Sequence, residues 1–258
     1  MAVTASDIPE VFFLDGWITG VDSVISSGKE GTVFRCPAGA HTGHDHLAVK
    51  IHRDRTTRSF RNDAIYLSGR PMGVGLNGST GLKWTGKTDQ RLERAVRKRS
   101  RTGIAAIQHS WINHEYNTMQ VLYQAGARVP EPFAMSGPAL VMTYIGDGDE
   151  PAPQLKHVDL DAGTARRFFG IIMEEIALWL ACERIHGDLS PFNILLWRDE
   201  PVIIDFPQAV NPFENPDARF LLERDLRNVA SYFAPHGIRL DTEQEADRLW
   251  TRFMRGTL

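Results

Sequence analysis

Read for its apolar and polar positions, the chain begins as a strand-forming region and ends as a helical one. From Trp17 to Cys36 apolar and polar residues alternate around Ser26-Ser27-Gly28-Lys29-Glu30-Gly31, the pattern of two strands joined by a glycine-bearing turn. Leu47-Ala48-Val49-Lys50-Ile51 reads as a short apolar strand carrying one lysine. Periodicity fails over 53–103, which reads as a long insertion. A helix then runs from about Ile104 to Ala125, with Trp111, Glu115, Met119 and Leu122 on one face and Gly126 as its C-terminal stop. Ala139 to Ile145 is a buried strand, followed by Gly146-Asp147-Gly148 as a hinge. A second helix spans Thr164 to Glu183, with Phe169, Ile172, Met173, Ile176 and Leu180 inward. Asn193 to Trp197 and Val202 to Asp205 form a hairpin, and two last helices cover about Pro216 to Phe233 and Asp241 to Met254.

This order predicts an α+β, bilobal architecture. An N-terminal extension (1–16) precedes a β-rich N-lobe (17–142) holding the insertion (53–103). A hinge at 143–148 leads to a mostly helical C-lobe (149–258). With 42% hydrophobic and 24% charged residues, 258 residues suffice for a real core. A net charge of -3 gives no global attraction to nucleic acid or anionic membrane. Two cysteines exclude a disulfide framework and favour a reducing compartment. Without an apolar leader or a run long enough to span a bilayer, the expected location is cytoplasmic, with no membrane partner.

Chemistry concentrates in His186-Gly187-Asp188-Leu189-Ser190-Pro191-Phe192-Asn193 and in Ile203-Ile204-Asp205. Two carboxylates and an amide in this order match phosphoryl transfer from ATP. Asp188 would orient an acceptor hydroxyl, while Asn193 and Asp205 supply hard oxygen ligands for Mg²⁺, or Mn²⁺ in its place. Lys50 ends a Leu-Ala-Val strand, as the phosphate-binding lysine of kinases does. Glu115 lies in an apolar helical stripe, where a carboxylate needs a cation, and pairing it with Lys50 accounts for both. Ser26 to Val33 reads first as an ordinary hairpin turn, with Ser27, Gly28, Lys29 and Val33 covering the nucleotide phosphates as the alternative. Met142 to Ile145 is placed to grip adenine through main-chain groups at Thr143 and Ile145. The basic run Arg91, Arg94, Arg97, Lys98, Arg99 and Arg101 reads first as a solvated segment, with contact to an RNA-containing or ribosomal partner as the alternative.

The chain resembles RIO-type atypical serine/threonine protein kinases. The resemblance rests on Ser27 to Gly31 with Val33-Phe34, Lys50, Trp111 with Glu115, Pro130-Glu131-Pro132, Pro151 to Leu155, His186 to Leu195, Asp205 with Gln208-Ala209-Val210, and Arg224-Asp225 with Asn228. It implies a compact kinase fold without a long activation segment. It also implies nucleotide or metal contacts at Lys50, Thr143, Ile145, Asn193 and Asp205, catalysis by Asp188, and phosphate acceptance by Asp205 in an ATPase-switch mode. The short N-terminal extension leaves no room for a winged-helix domain, which points to the first RIO subfamily. Gly31 stands where the family usually has alanine, Thr143 where it has glutamate, and Phe206-Pro207 where it has a smaller pair. Two other functions share the motif set. One is a small-molecule phosphotransferase of the aminoglycoside or choline type, and the other an ATP-binding assembly factor with little turnover.

Overall fold

The computed structural model of the protein describes residues 3–28, 31–53, 98 and 100–258, which divide into two compact units. Unit 1 holds the described residues up to 53, residues 98 and 100–116, and 133–143. Unit 2 holds 117–132 and 144–258.

Unit 1 is built on a five-stranded sheet in the order β1-β2-β3-β5-β4. The strands are β1 (Ser23–Ser27), β2 (Gly31–Pro37), β3 (His46–His52), β4 (Pro132–Ser136) and β5 (Ala139–Thr143), preceded by a one-turn helix, α1 (Val11–Leu14). The β1–β2, β2–β3 and β3–β5 pairings are antiparallel, with a bulge in β1 between Val24 and Ser26. Register aligns Val33, Lys50 and Leu140 across three strands, and Arg35, Ala48 and Met142 two positions along. Side chains alternate across a sheet, so Val33, Lys50, Ala48 and Met142 share one face. The opposite face carries Phe34, Cys36, Leu47, Val49, Ile51, Ala139 and Val141, which form one core with Ile8, Phe12 and Ile18.

Residues 3–16, read from sequence as an extension, therefore supply part of this core. The residues that follow them are bonded to the rest of unit 1: the Trp17 carbonyl accepts from Gly39 N–H at 2.9 Å, and the Pro37 carbonyl accepts from Thr19 N–H at 3.0 Å. The approach is so close that a Cβ on Gly39 would lie 1.6 Å from the Gly16 carbonyl oxygen.

Helix α2 (Arg101–Gln124) starts in unit 1 and continues into unit 2, so 101–103 belong to the helix rather than to the insertion. It ends as expected at Gly126, whose N–H reaches the Tyr123 carbonyl while Ala127 N–H reaches that of Leu122, both at 3.0 Å. Unit 2 continues with the hairpin β6 (Gly146–Asp147) and β7 (Glu150–Pro151), where a hinge is expected from sequence. Next come α3 (Ala162–Ala181), the hairpin β8 (Ile194–Trp197) and β9 (Glu200–Ile203), and helices α4 (Ala218–Phe233) and α5 (Thr242–Met254). Asp161 caps α3 by accepting from Gly163 and Thr164 N–H, and Asp241 caps α5 by accepting from Gln244 N–H.

The inward face of α3 is offset from the sequence reading. Ala165, Phe168, Ile172, Glu175, Ile176, Trp179 and Leu180 are buried, whereas Phe169 and Met173 are only half-buried. Glu175 explains the offset: its carboxylate takes bonds from Arg128 and from the Trp179 indole, so a charged residue sits inside the stripe. Among the described residues no helix is long and apolar enough to cross a membrane.

Candidate active site

In unit 1, β3 carries Lys50 on the sheet face opposite the core, and α2 carries Glu115. The Lys50 Nζ lies 2.6 Å from Glu115 Oε1 in a buried ion pair. A second partner unforeseen from sequence, His52, places Nε2 at 3.0 Å from Glu115 Oε2. Burial alone would push the Glu115 carboxyl up; Lys50 and His52 overcome it and hold it at about 2. Tyr116, next on α2, donates to the Phe133 carbonyl at 3.2 Å and fastens the helix to β4.

The Lys50–Glu115 pair carries a prediction. Below 4.5, the ordinary carboxylate value, an unfolded chain protonates Glu115 while the folded protein does not. The stabilisation is therefore complete above that value and is lost as pH falls toward 2. Lys50→Met is expected to cost about 2 kcal/mol, less than a fully orphaned buried charge because His52 remains. It should also move the acid limb of the stability profile to higher pH. Urea unfolding across a pH series checks both effects.

At the β1–β2 turn, Gly28 N–H bonds the Gly31 carbonyl at 2.9 Å, so this donor is used within the hairpin rather than offered to a phosphate. The Ser27 hydroxyl meets the Thr32 hydroxyl at 3.2 Å and accepts from the Arg53 guanidinium at 2.7 Å. Met142 and Thr143 close β5, each half-buried. In unit 2, Ile145 lends its carbonyl to Ala152 N–H at 3.0 Å.

Also in unit 2, the His186–Asn193 loop is pinned from below by α4. Asp225 accepts from Gly187 N–H at 2.7 Å and from Leu189 N–H at 3.0 Å, and the Asn228 amide donates to the Leu189 carbonyl at 2.9 Å. Gly187 is required here, since its φ of +81° is strained for any residue with a Cβ. His186 joins the two acidic segments. Its Nδ1 accepts from Asp188 N–H at 3.3 Å, so Nε2 is the donor to the Ile204 carbonyl at 3.2 Å.

Asp205 itself adopts φ +72°, uncommon outside glycine and typical of backbone strain at functional sites. Both its neighbours are fixed. Ile204 N–H bonds the Asn193 carbonyl at 2.9 Å, and the buried Phe206 ring packs 4.7 Å from His186 and 5.8 Å from Trp179. The bulky Phe206-Pro207 pair is thus accommodated by turning the phenyl ring inward. The Asp188 carboxylate stays exposed, but the dense surroundings raise its pKa; Arg224 opposes this and the like charge of Asp205 adds to it.

A RIO domain family model matches residues 79–246, well over half of the chain. The chain belongs to the RIO domain family. The RIO-type serine/threonine-protein kinase Rio1 of Haloferax volcanii is 29% identical over 227 residues, covering 88% of this chain and 68% of that protein. Rio1 of Thermoplasma acidophilum is 36% identical over 134 residues, 52% of this chain and 69% of that protein. The fold is also that of the Rio2 kinase–ADP/Mg²⁺–phosphoaspartate complex from Chaetomium thermophilum, with TM-score 0.62 at 20% identity over 96% of this chain and 72% of that one.

The donor set of this RIO domain fits a hard divalent cation. The Asn193 amide nitrogen is committed to the Asp188 carbonyl at 3.0 Å, which leaves its Oδ1, with the Asp205 carboxylate, as oxygen ligands. Among the described residues no cluster of three or more His, Cys, Asp or Glu is arranged to hold a metal.

Lys29 and most of the insertion over 53–103 lie outside the described residues. Of the basic run, Lys98 is described and exposed, and Arg101 opens α2. The residues that sequence reading left without roles are His52, His186, Arg224 and Asp225. Asp225 had a legible signal: with Leu221, Leu222, Leu226 and Val229 it forms the buried stripe of α4, an acid among apolar residues just as Glu115 is on α2.

Proposed function

We propose that this RIO domain is an ATP- and Mg²⁺-dependent serine/threonine protein kinase. The observation that carries the reading is the pairing of Asp188 and Asp205. The two segments that bear them are bonded to each other: His186 takes Asp188 N–H and reaches the Ile204 carbonyl, and Asn193 bonds the Asp188 carbonyl with its amide and Ile204 N–H with its own carbonyl. Two acids and an amide oxygen on segments bonded in this way, with Arg224 beside Asp188, suit a cation shared with phosphate oxygens, which ATP chemistry requires.

Asp188 orients the acceptor hydroxyl and takes its proton, a role aided by a pKa nearer neutrality than an ordinary aspartate. Lys50, fixed by Glu115, neutralises nucleotide phosphate charge, and Met142, Thr143 and the Ile145 N–H line the adenine end. Asn193 and Asp205 hold the metal, Mg²⁺ or Mn²⁺, which supplies charge neutralisation of the transferring phosphate. The Chaetomium Rio2 structure contains phosphoaspartate, and Asp205 is the carboxylate we assign to accept phosphate in this chain, in an ATPase-switch mode.

Two free cysteines, one buried, support a reducing, cytoplasmic setting. A ribosomal or RNA-containing partner would be met by the basic run at 91–101.

Incubation with γ-labelled ATP and Mg²⁺ tests the reading. Wild-type protein should transfer label to serine or threonine of a protein substrate, and any hydroxylamine-releasable acyl phosphate should disappear in Asp205→Ala. That variant should also lose tenfold or more in Mg²⁺-ATP affinity, measured by titration, as a metal ligand's removal requires. Unchanged affinity would remove Asp205 from the metal site.

A further inference from the structure

We propose that Phe192, with His157 beside it, is a specificity-determining surface. It takes an apolar side chain next to the acceptor hydroxyl of a polypeptide substrate. The inference rests on the kinase reading above and names the kind of acceptor sequence that reading leaves open.

Phe192 lies four residues after Asp188 and directly before Asn193, on the turn Pro191–Asn193 that ends the loop begun at His186. It is 49% exposed. Its neighbours explain why this ring does not simply fold inward. Pro191 fixes the backbone dihedral before it, and Asn193 N–H bonds the Ser190 carbonyl at 2.9 Å. The Asn193 side chain is tied to the Asp188 carbonyl, and β8 begins at once with Ile194. The turn that carries Phe192 is thus fixed on both sides.

The His157 ring stands edge-on to Phe192, with centroids 6.2 Å apart. His157 is also exposed, and its segment is anchored as firmly. Leu155 is fully buried and its carbonyl accepts from the Tyr232 hydroxyl at 2.7 Å. The Pro153 carbonyl takes Leu196 N–H at 2.9 Å, and Gln154 bridges Leu195. Two exposed aromatic rings therefore sit on backbone tied to β8 and α4, and the turn bearing Phe192 is closed onto the Asp188 carbonyl by the Asn193 amide at 3.0 Å. A single exposed aromatic on a loose loop would carry no such meaning. A rigid pair does, because a preorganised surface binds without an ordering cost. An apolar contact is also of little use to a sugar or amino-alcohol acceptor, whereas a Leu or Phe flanking a serine would cover the exposed Phe192 ring.

Two peptides identical except for Leu or Gly on both sides of one serine test this. Wild-type protein should show kcat/KM about tenfold higher for the Leu peptide, carried by KM, as partial burial of one apolar side chain predicts. Phe192→Leu should keep the preference, and Phe192→Ala should bring the ratio to about one. Equal kcat/KM for the two peptides in wild-type protein, or an intact preference in Phe192→Ala, overturns the inference. Wild-type protein that labels itself or hydrolyses ATP yet shows no preference overturns it alone. Protein that does neither overturns the kinase reading and this inference with it.

Discussion

Replacing Asp188 with alanine is expected to lower phosphoryl transfer by on the order of 10²–10⁴-fold while leaving nucleotide bound. The structure separates these effects, because the catalytic loop does not depend on the Asp188 side chain. It is the Asp188 main chain that bonds Asn193 and His186, and both bonds survive truncation of the carboxylate. Removing that carboxylate also removes a negative charge close to Asp205, so Mg²⁺-ATP affinity should hold or tighten. Single-turnover rates with labelled ATP, beside a nucleotide titration, give the two numbers. A mutant that turns over at the wild-type rate would remove Asp188 from the chemistry.

A second large effect is expected at Asp225, which touches no reacting group. Asp225→Ala leaves Gly187 N–H and Leu189 N–H buried without their acceptor, at about 1–3 kcal/mol each. Hydrogen exchange at these two amides should accelerate, and turnover should fall because the loop carrying Asp188 loses its support. Burial raises the Asp225 pKa to about 7, against the pull of the two N–H groups and Arg224. Between the ordinary 3.8 and about 7 the folded protein binds a proton that the unfolded chain has released. The stabilisation is therefore present at acid pH and is lost as pH rises through 7, with a slope of at most about 1.4 kcal/mol per pH unit. Asp225→Asn should flatten that slope in urea unfolding across pH 4 to 8; an unchanged slope would show that another group titrates.

The chemistry of this chain is more legible in its sequence than the scaffold is. Lys50 and Glu115 can be paired across a long sequence separation because a charge in an apolar stripe demands a partner of opposite sign. The same logic applies to Asp225 on α4 and Glu175 on α3, and it identifies both as anchors of backbone or of Arg128. On α3, Glu175 lies inside the buried stripe, so a face drawn through apolar residues alone turns toward Phe169 and Met173. Elements without periodicity are illegible for a different reason. The two-residue strands β6 and β7 are too short to alternate, and β4 begins with a proline. Ile8, Phe12 and Ile18 carry no helical or strand repeat that marks them as core, since their burial depends on a sheet that forms far along the chain. The use of Gly28 N–H within its own hairpin is likewise invisible, because which partner a backbone donor takes is settled by three-dimensional geometry.

Ile8 and Phe12 are synthesised long before β5, yet their hydrophobic cluster includes Ala139 and Val141 on that strand. During translation β2 and β3 can cover that segment first, but the cluster stays incomplete until β5 has emerged. Contacts of such long sequence separation fold slowly. A pause in elongation before residue 139 would prolong the interval in which this core is incomplete.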